Sequence, residues 1–110
     1  MNNHIKDLNT LIEIKKWIDD FLSGQGYCII CGHDDPLDLE SDHIGARANS
    51  DAIVSLCRNC HVRKSKIQRR TWPQGWYDKN TSFKTQALVI RGLSDILRLK
   101  SDHMMRSKND

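Results

Sequence analysis

The 110-residue chain lacks any long apolar run. Ala87-Leu88-Val89-Ile90, the longest in its C-terminal part, is followed by Arg91, Asp95, Arg98 and Lys100 and falls far short of the ~20 residues that span a bilayer. Residues 1–20 contain no uninterrupted apolar stretch behind a basic start, so they do not read as a secretory signal. These two absences predict a soluble, cytoplasmic protein with no membrane partner. There is also no internal repeat and no low-complexity tract, and glycine usage, at six, is ordinary. One small domain covering residues 1–110 is the expectation. A chain of this length buries only roughly 60–68% of its unfolded surface, so a metal, a disulfide or a partner is expected to supplement a thin core.

What the chain does have is an uneven charge. The formal net charge is only +3, but residues 1–42 hold three Lys/Arg against nine Asp/Glu, a net of −6, and residues 43–110 hold fourteen against five, a net of +9. A polyanion-facing second half follows from that asymmetry. Its steepest part is residues 58–70, where Arg58, Arg63, Lys64, Lys66, Arg69 and Arg70 occur with no acidic residue among them. Such a run is either a solvated helix face or a phosphate-binding surface.

The patterning predicts an α+β fold. Ile5, Leu8, Leu11, Ile12, Ile14, Ile18, Phe21 and Leu22 repeat at helical spacing, giving an N-terminal packing helix within residues 1–24 that Ser23-Gly24 and Gly26 stop. From Tyr27 to Leu56 short apolar pieces alternate with turn residues, which predicts a cysteine knuckle and two short strands, in Leu37–Ile44 and Ile53–Leu56. Residues 58–70 contain neither Gly nor Pro, and a helix is expected to begin around Cys57–Cys60. Pro73 and Gly75 end it. The aromatic segment Trp72-Pro73-Gln74-Gly75-Trp76-Tyr77 opens the last part, residues 71–110, and its Trp72, Trp76 and Tyr77 either anchor the loop or stack on bases. A final helix follows, capped by Thr81 or Ser82, with Val89, Leu93, Ile96 and Leu97 on one side.

Cys28-x2-Cys31 and Cys57-x2-Cys60 are two identical pairs 25 residues apart. Paired knuckles of this kind supply the four thiolates of a tetrahedral zinc site, whose coordination is complete and whose role is therefore structural. Two disulfides or a redox dithiol are the competing readings, and an intracellular setting disfavours both. Zinc at these four cysteines would staple a core spanning residues 27–70.

Any chemistry must then come from other side chains. Asp42-His43 lies between the knuckles and His61 directly follows the second. A carboxylate and an imidazole, with a second imidazole delivered by the pinned helix, provide two metal ligands and a general base. Asp42 and His61 suit a hard divalent cation such as Mg2+ or Mn2+, and His43, with an ordinary pKa near 6.5, suits proton removal from an attacking water. Neighbouring strand residues face opposite sides, so Asp42 and His43 can converge only at a strand end or bulge, where Gly45 is well placed. His61 is alternatively a further zinc ligand or an ordinary residue of the first helical turn. His33 reads as a donor beside the knuckle or an alternative zinc ligand. His4 and His103 read as solvent-facing residues of the terminal helices.

Cys28-Ile29-Ile30-Cys31-Gly32, Leu39-Glu40-Ser41-Asp42-His43-Ile44 and Leu56-Cys57-Arg58-Asn59-Cys60-His61 together resemble the HNH endonucleases, the ββα-metal class, in the subgroup with a four-cysteine zinc. The resemblance covers about residues 27–70. It implies a ββα element with His43 at the general base and Asp42 and His61 at the catalytic cation, in the Asp-His form of the phage resolvase branch. It further implies a bacterial or phage-encoded enzyme cutting duplex or branched DNA to 5′-phosphate and 3′-hydroxyl ends. The family's central Asn falls on Ala52, with Asn49 in the preceding turn as its candidate replacement, and a frequent third ligand falls on Ser65. Arg63, Lys64, Lys66, Arg69 and Arg70, together with Arg58 and with Arg47 from the inter-strand turn, are the expected contacts to DNA phosphates, which position a duplex without reading its sequence. Two amphipathic end helices leave room for a homodimer that would cut both strands. The alternatives are a non-catalytic zinc module that binds nucleic acid and an accessory protein of a phage-type DNA-processing assembly.

Overall fold

The structure is a computed structural model that describes residues 7–23, 26–48 and 50–106. Its elements are α1 (Leu8–Leu22), β1 (Leu39–His43), β2 (Ile53–Cys57), α2 (Arg58–Thr71) and α3 (Thr85–Arg106). The fold is α+β, with a small antiparallel hairpin and helices around it. No helix among the described residues is long and apolar enough to cross a membrane.

The hairpin pairs Leu39 with Cys57, Ser41 with Ser55 and His43 with Ile53. Strand pleating then separates two sets of side chains. Glu40 and Asp42 share the face of Val54 and Leu56, both buried, whereas His43 ends β1 beside the exposed Ile53. Strand β1 starts later than its apolar content suggests. Pro36–Asp38 form a 3-10 turn, in which the Asp35 carboxylate accepts a hydrogen bond from the Leu37 amide at 3.0 Å.

Helix α2 follows β2 without a connecting loop, so the zinc-spaced cysteines Cys57 and Cys60 straddle the strand-to-helix junction. It buries Cys60, Lys64 and Gln68, a stripe repeating every four residues. Helix α3 packs against α2 and against the turn that follows β1. A side chain at Gly92 would meet the Ile44 carbonyl oxygen, and one at Gly45 would come within 3.0 Å of the Val89 amide nitrogen. Only glycine allows backbones this close. The Trp72 indole donates to Asp95 of α3 at 2.8 Å, and Lys100 of α3 donates to the Ile30 carbonyl of the first knuckle at 3.1 Å.

The main core joins Phe21 of α1, Ile29 and Ile30 of the knuckle, Ile44, Val54 and Leu56 of the hairpin, and Ile96 of α3. A second cluster gathers Ala46, Trp72 and Leu88 with Trp76 against it. Trp72 and Trp76 therefore anchor the loop, since Trp72 is buried and meets Trp76 edge-on with ring centroids 5.4 Å apart, whereas Tyr77 is exposed.

Several expectations change. Helix α1 buries only Phe21, while Leu8, Leu11, Ile12 and Ile14 are exposed, so just its C-terminal half packs on the core. Helix α3 starts at Thr85 rather than at a Thr81 or Ser82 cap, because the Thr81 hydroxyl instead accepts from the Phe83 amide within the preceding turn. His103 is half-buried at the edge of a cavity rather than solvent-facing. His4, Ile5, Gly24 and Asn49 lie outside the described residues.

Candidate functional site

The two knuckles meet as one cluster. Each of Cys28, Cys31, Cys57 and Cys60 offers a sulfur lying within 4.8 Å of the others, and all four cysteines are free. Cys31 and Cys57 have their sulfurs 3.7 Å apart, which is the edge of a tetrahedron with zinc–sulfur bonds of about 2.3 Å. These residues can hold a metal ion such as zinc. Their protons are already unevenly shared: the Cys60 thiol donates to Cys28 and lowers the Cys28 pKa to about 4, the same contact raises Cys60, and burial raises Cys31. His33 is not one of the four. Its ring is bonded to Asp38 at 2.8 Å, which raises its pKa, and its carbonyl accepts from the Cys28 amide.

Beside the cluster is a cavity of about 430 Å³, lined among others by Arg58, Arg63, His103 and Arg106. A metal held by four thiolates would form an anionic centre, which the arginines of this rim would offset.

The second constellation lies where β1 faces the first turns of α2. Glu40 and Asp42, two residues apart on one strand, present carboxylates on the same face, and His61 stands between them. The Glu40 carboxylate is 2.7 Å from His61 Nδ1, and this bond holds its pKa below the usual glutamate range, with Arg58 adding to the effect. An ionised Glu40 can only accept, so His61 Nδ1 carries a proton directed at it. The other ring nitrogen, Nε2, faces Asp42 Oδ1 at 3.5 Å. Two acceptors facing each other repel unless a proton or cation lies between them. An octahedral cation with donors at about 2.1 Å places adjacent donors about 3 Å apart, so the gap fits such an ion with a small contraction.

Asp42 is nearly fully buried, and burial raises its pKa against the opposing pull of Lys64, His61 and His43. Lys64 Nζ lies 2.9 Å from Asp42 Oδ2, as an ion pair off hydrogen-bond alignment, and donates to the Ile44 carbonyl at 3.3 Å. Oδ2 therefore has no aligned donor. Only Oδ1 turns toward His61.

The structure thus brings Asp42 and His61 together, whereas His43, the last residue of β1, alternates to the other strand face beside Ile53 and influences Asp42 only through space. Lys64 is a correction. It is fully buried and cannot contact a DNA phosphate, because it lies three residues after His61 and four after Cys60, on the inward face of α2. Arg47, Arg58, Arg63, Lys66, Arg69 and Arg70 are exposed, with Arg58 also 3.6 Å from Glu40. Ser65 is half-buried. Glu40 was missed by the sequence reading. Its signal was the two-residue spacing from Asp42, which puts both carboxylates on one strand face.

Comparison of the chain with protein-family models, with curated proteins and with solved structures gives no match in any of the three.

Proposed function

We propose that the protein is a metal-dependent endonuclease that hydrolyses DNA phosphodiester bonds, with a structural zinc at the four cysteines. The observation that carries this reading is the approach of Asp42 Oδ1 to His61 Nε2 at 3.5 Å while Glu40 fixes the imidazole from Nδ1 at 2.7 Å. A carboxylate–imidazole pair held by a further carboxylate is the donor arrangement of a metal site. The resemblance of the three sequence motifs to the HNH endonucleases points the same way.

Asp42 and His61 would hold Mg2+ or Mn2+, which would supply charge neutralisation at the scissile phosphate. The chain's own residues do the rest. Asp42 Oδ1 and His61 Nε2 hold and orient, and Glu40 keeps the His61 proton on Nδ1. His43, at the strand end, takes the proton of the attacking water through a neutral ring nitrogen. The first turn of α2 contains no acidic residue, so its N-terminal partial charge favours the phosphate. Exposed Arg63, Lys66, Arg69 and Arg70 on α2, with Arg47 from the inter-strand turn, hold flanking phosphates.

The test is nicking of supercoiled plasmid in Mg2+ or Mn2+. Wild-type protein should nick, EDTA should abolish nicking, and His43→Ala should lower it by about 10²–10⁴-fold. No nicking by the zinc-loaded wild type in either metal would reject the enzyme in favour of a nucleic-acid-binding module.

A further inference from the structure

Four formal charges surround the His61 ring, and they cancel. Asp42 is paired with Lys64 at 2.9 Å, and Glu40 with Arg58 at 3.6 Å. The Asp42–Lys64 pair is out of water altogether: Lys64 has no exposed surface and the Asp42 side chain almost none. Solvent therefore screens it little, and the ammonium acts at nearly full strength on anything held by the same carboxylate. A buried lysine is also a costly neighbour for a metal-binding carboxylate, and its other contacts are looser, a 3.3 Å bond to the Ile44 carbonyl and the Trp72 ring 5.8 Å away. Its position has a second effect. By standing at Oδ2 it leaves Oδ1 as the one oxygen aimed at His61 Nε2.

We propose that Lys64 keeps the Asp42–His61 site electrically neutral, so that a divalent cation enters it together with an anionic phosphodiester and not before. Lys64 is thus a positioning residue that couples cation uptake to substrate. The protein alone offers the cation a carboxylate whose charge Lys64 already balances at 2.9 Å. The phosphodiester brings the missing negative charge, and binding of either partner then strengthens binding of the other by the same factor. This rests on Asp42 and His61 being cation donors, and the measurement separates failure of the coupling from failure of that premise.

Zinc-loaded protein carrying His43→Ala, to stop turnover, is titrated with Mn2+ while the free-ion EPR signal is read, with and without a short DNA duplex, the duplex alone being the blank. The duplex should tighten Mn2+ binding by the protein at least about tenfold. In the absence of DNA, Lys64→Met should also tighten it at least about tenfold by removing a like charge from the site. Lys64→Arg should leave it weak. If zinc content and far-UV circular dichroism show that Lys64→Met does not fold, Arg58→Gln removes the other cation from an exposed position and should shift affinity in the same direction by less. Equal Mn2+ affinity with and without the duplex would overturn the proposal while leaving the site intact. So would unchanged or weaker binding in folded Lys64→Met, or in Arg58→Gln where that variant takes its place. No protein-bound Mn2+ in any arm would overturn the cation site and the coupling with it.

Discussion

At His61 the two ring nitrogens have different partners: Nδ1 is committed to Glu40 at 2.7 Å, and Nε2 faces Asp42 at 3.5 Å, as the proposed cation site requires. The hydrogen bond from His61 is the main reason Glu40 titrates below the usual glutamate range. A lowered carboxylate contributes its contact fully above the ordinary glutamate pKa and loses it as pH falls through the lowered value. Carboxyl NMR of Glu40 should therefore show a midpoint below 4.5, and His61→Gln should raise it more than Arg58→Gln does. A midpoint at 4.5 or above in the wild type would contradict the orientation assigned to His61. Asp42, His43 and His61 stand out in the sequence because their chemistry is unusual at that spacing, whereas Glu40 and Lys64 do not. Charge counting placed Lys64 with its basic neighbours on a surface, and only the helical period relative to Cys60 and His61 turns it inward.

At the scale of elements, the site depends on how α3 holds the turn that follows His43. Gly92 lies so close to the Ile44 carbonyl that an added methyl group would overlap it, and the contact is backbone on backbone, so no side chain can swing aside. Gly92→Ala should destabilise the protein by about 2–4 kcal/mol, read as a fall of roughly 10 °C in Tm. Gly26→Ala, where nothing lies within 4 Å, is the control and should leave Tm nearly unchanged. Equal melting of both variants would mean that α3 does not seat on the turn. The hairpin and α2 were legible because cysteine spacing, turn residues and the unbroken 58–70 run mark their ends. The α3 start was not, since Thr81 caps a local turn as readily as a helix, and sequence alone cannot tell which backbone amide a threonine hydroxyl will serve. Nor did the apolar period of α1 reveal that only its C-terminal half finds a partner.

For the whole molecule, the knuckles tie the segment after α1, the end of the hairpin and the start of α2 to one point, and three of the four cysteines lie inside the main core. With a core this small, the metal's binding energy becomes folding energy. Elemental analysis should find one zinc per chain, and a strong chelator or Cys57→Ser should abolish the cooperative thermal transition rather than shift it slightly. A sharp, unshifted melt after zinc removal would contradict the structural role. The central claim is narrower: a single cation shared by Asp42 and His61. Electron spin-echo modulation of Mn2+, recorded on the zinc-loaded His43→Ala protein with a DNA duplex, reads that directly. The account predicts coupling to one imidazole nitrogen that disappears when His61→Ala is added, with the four-cysteine zinc retained. Bound Mn2+ without nitrogen coupling, or with coupling that survives the loss of His61, would contradict it.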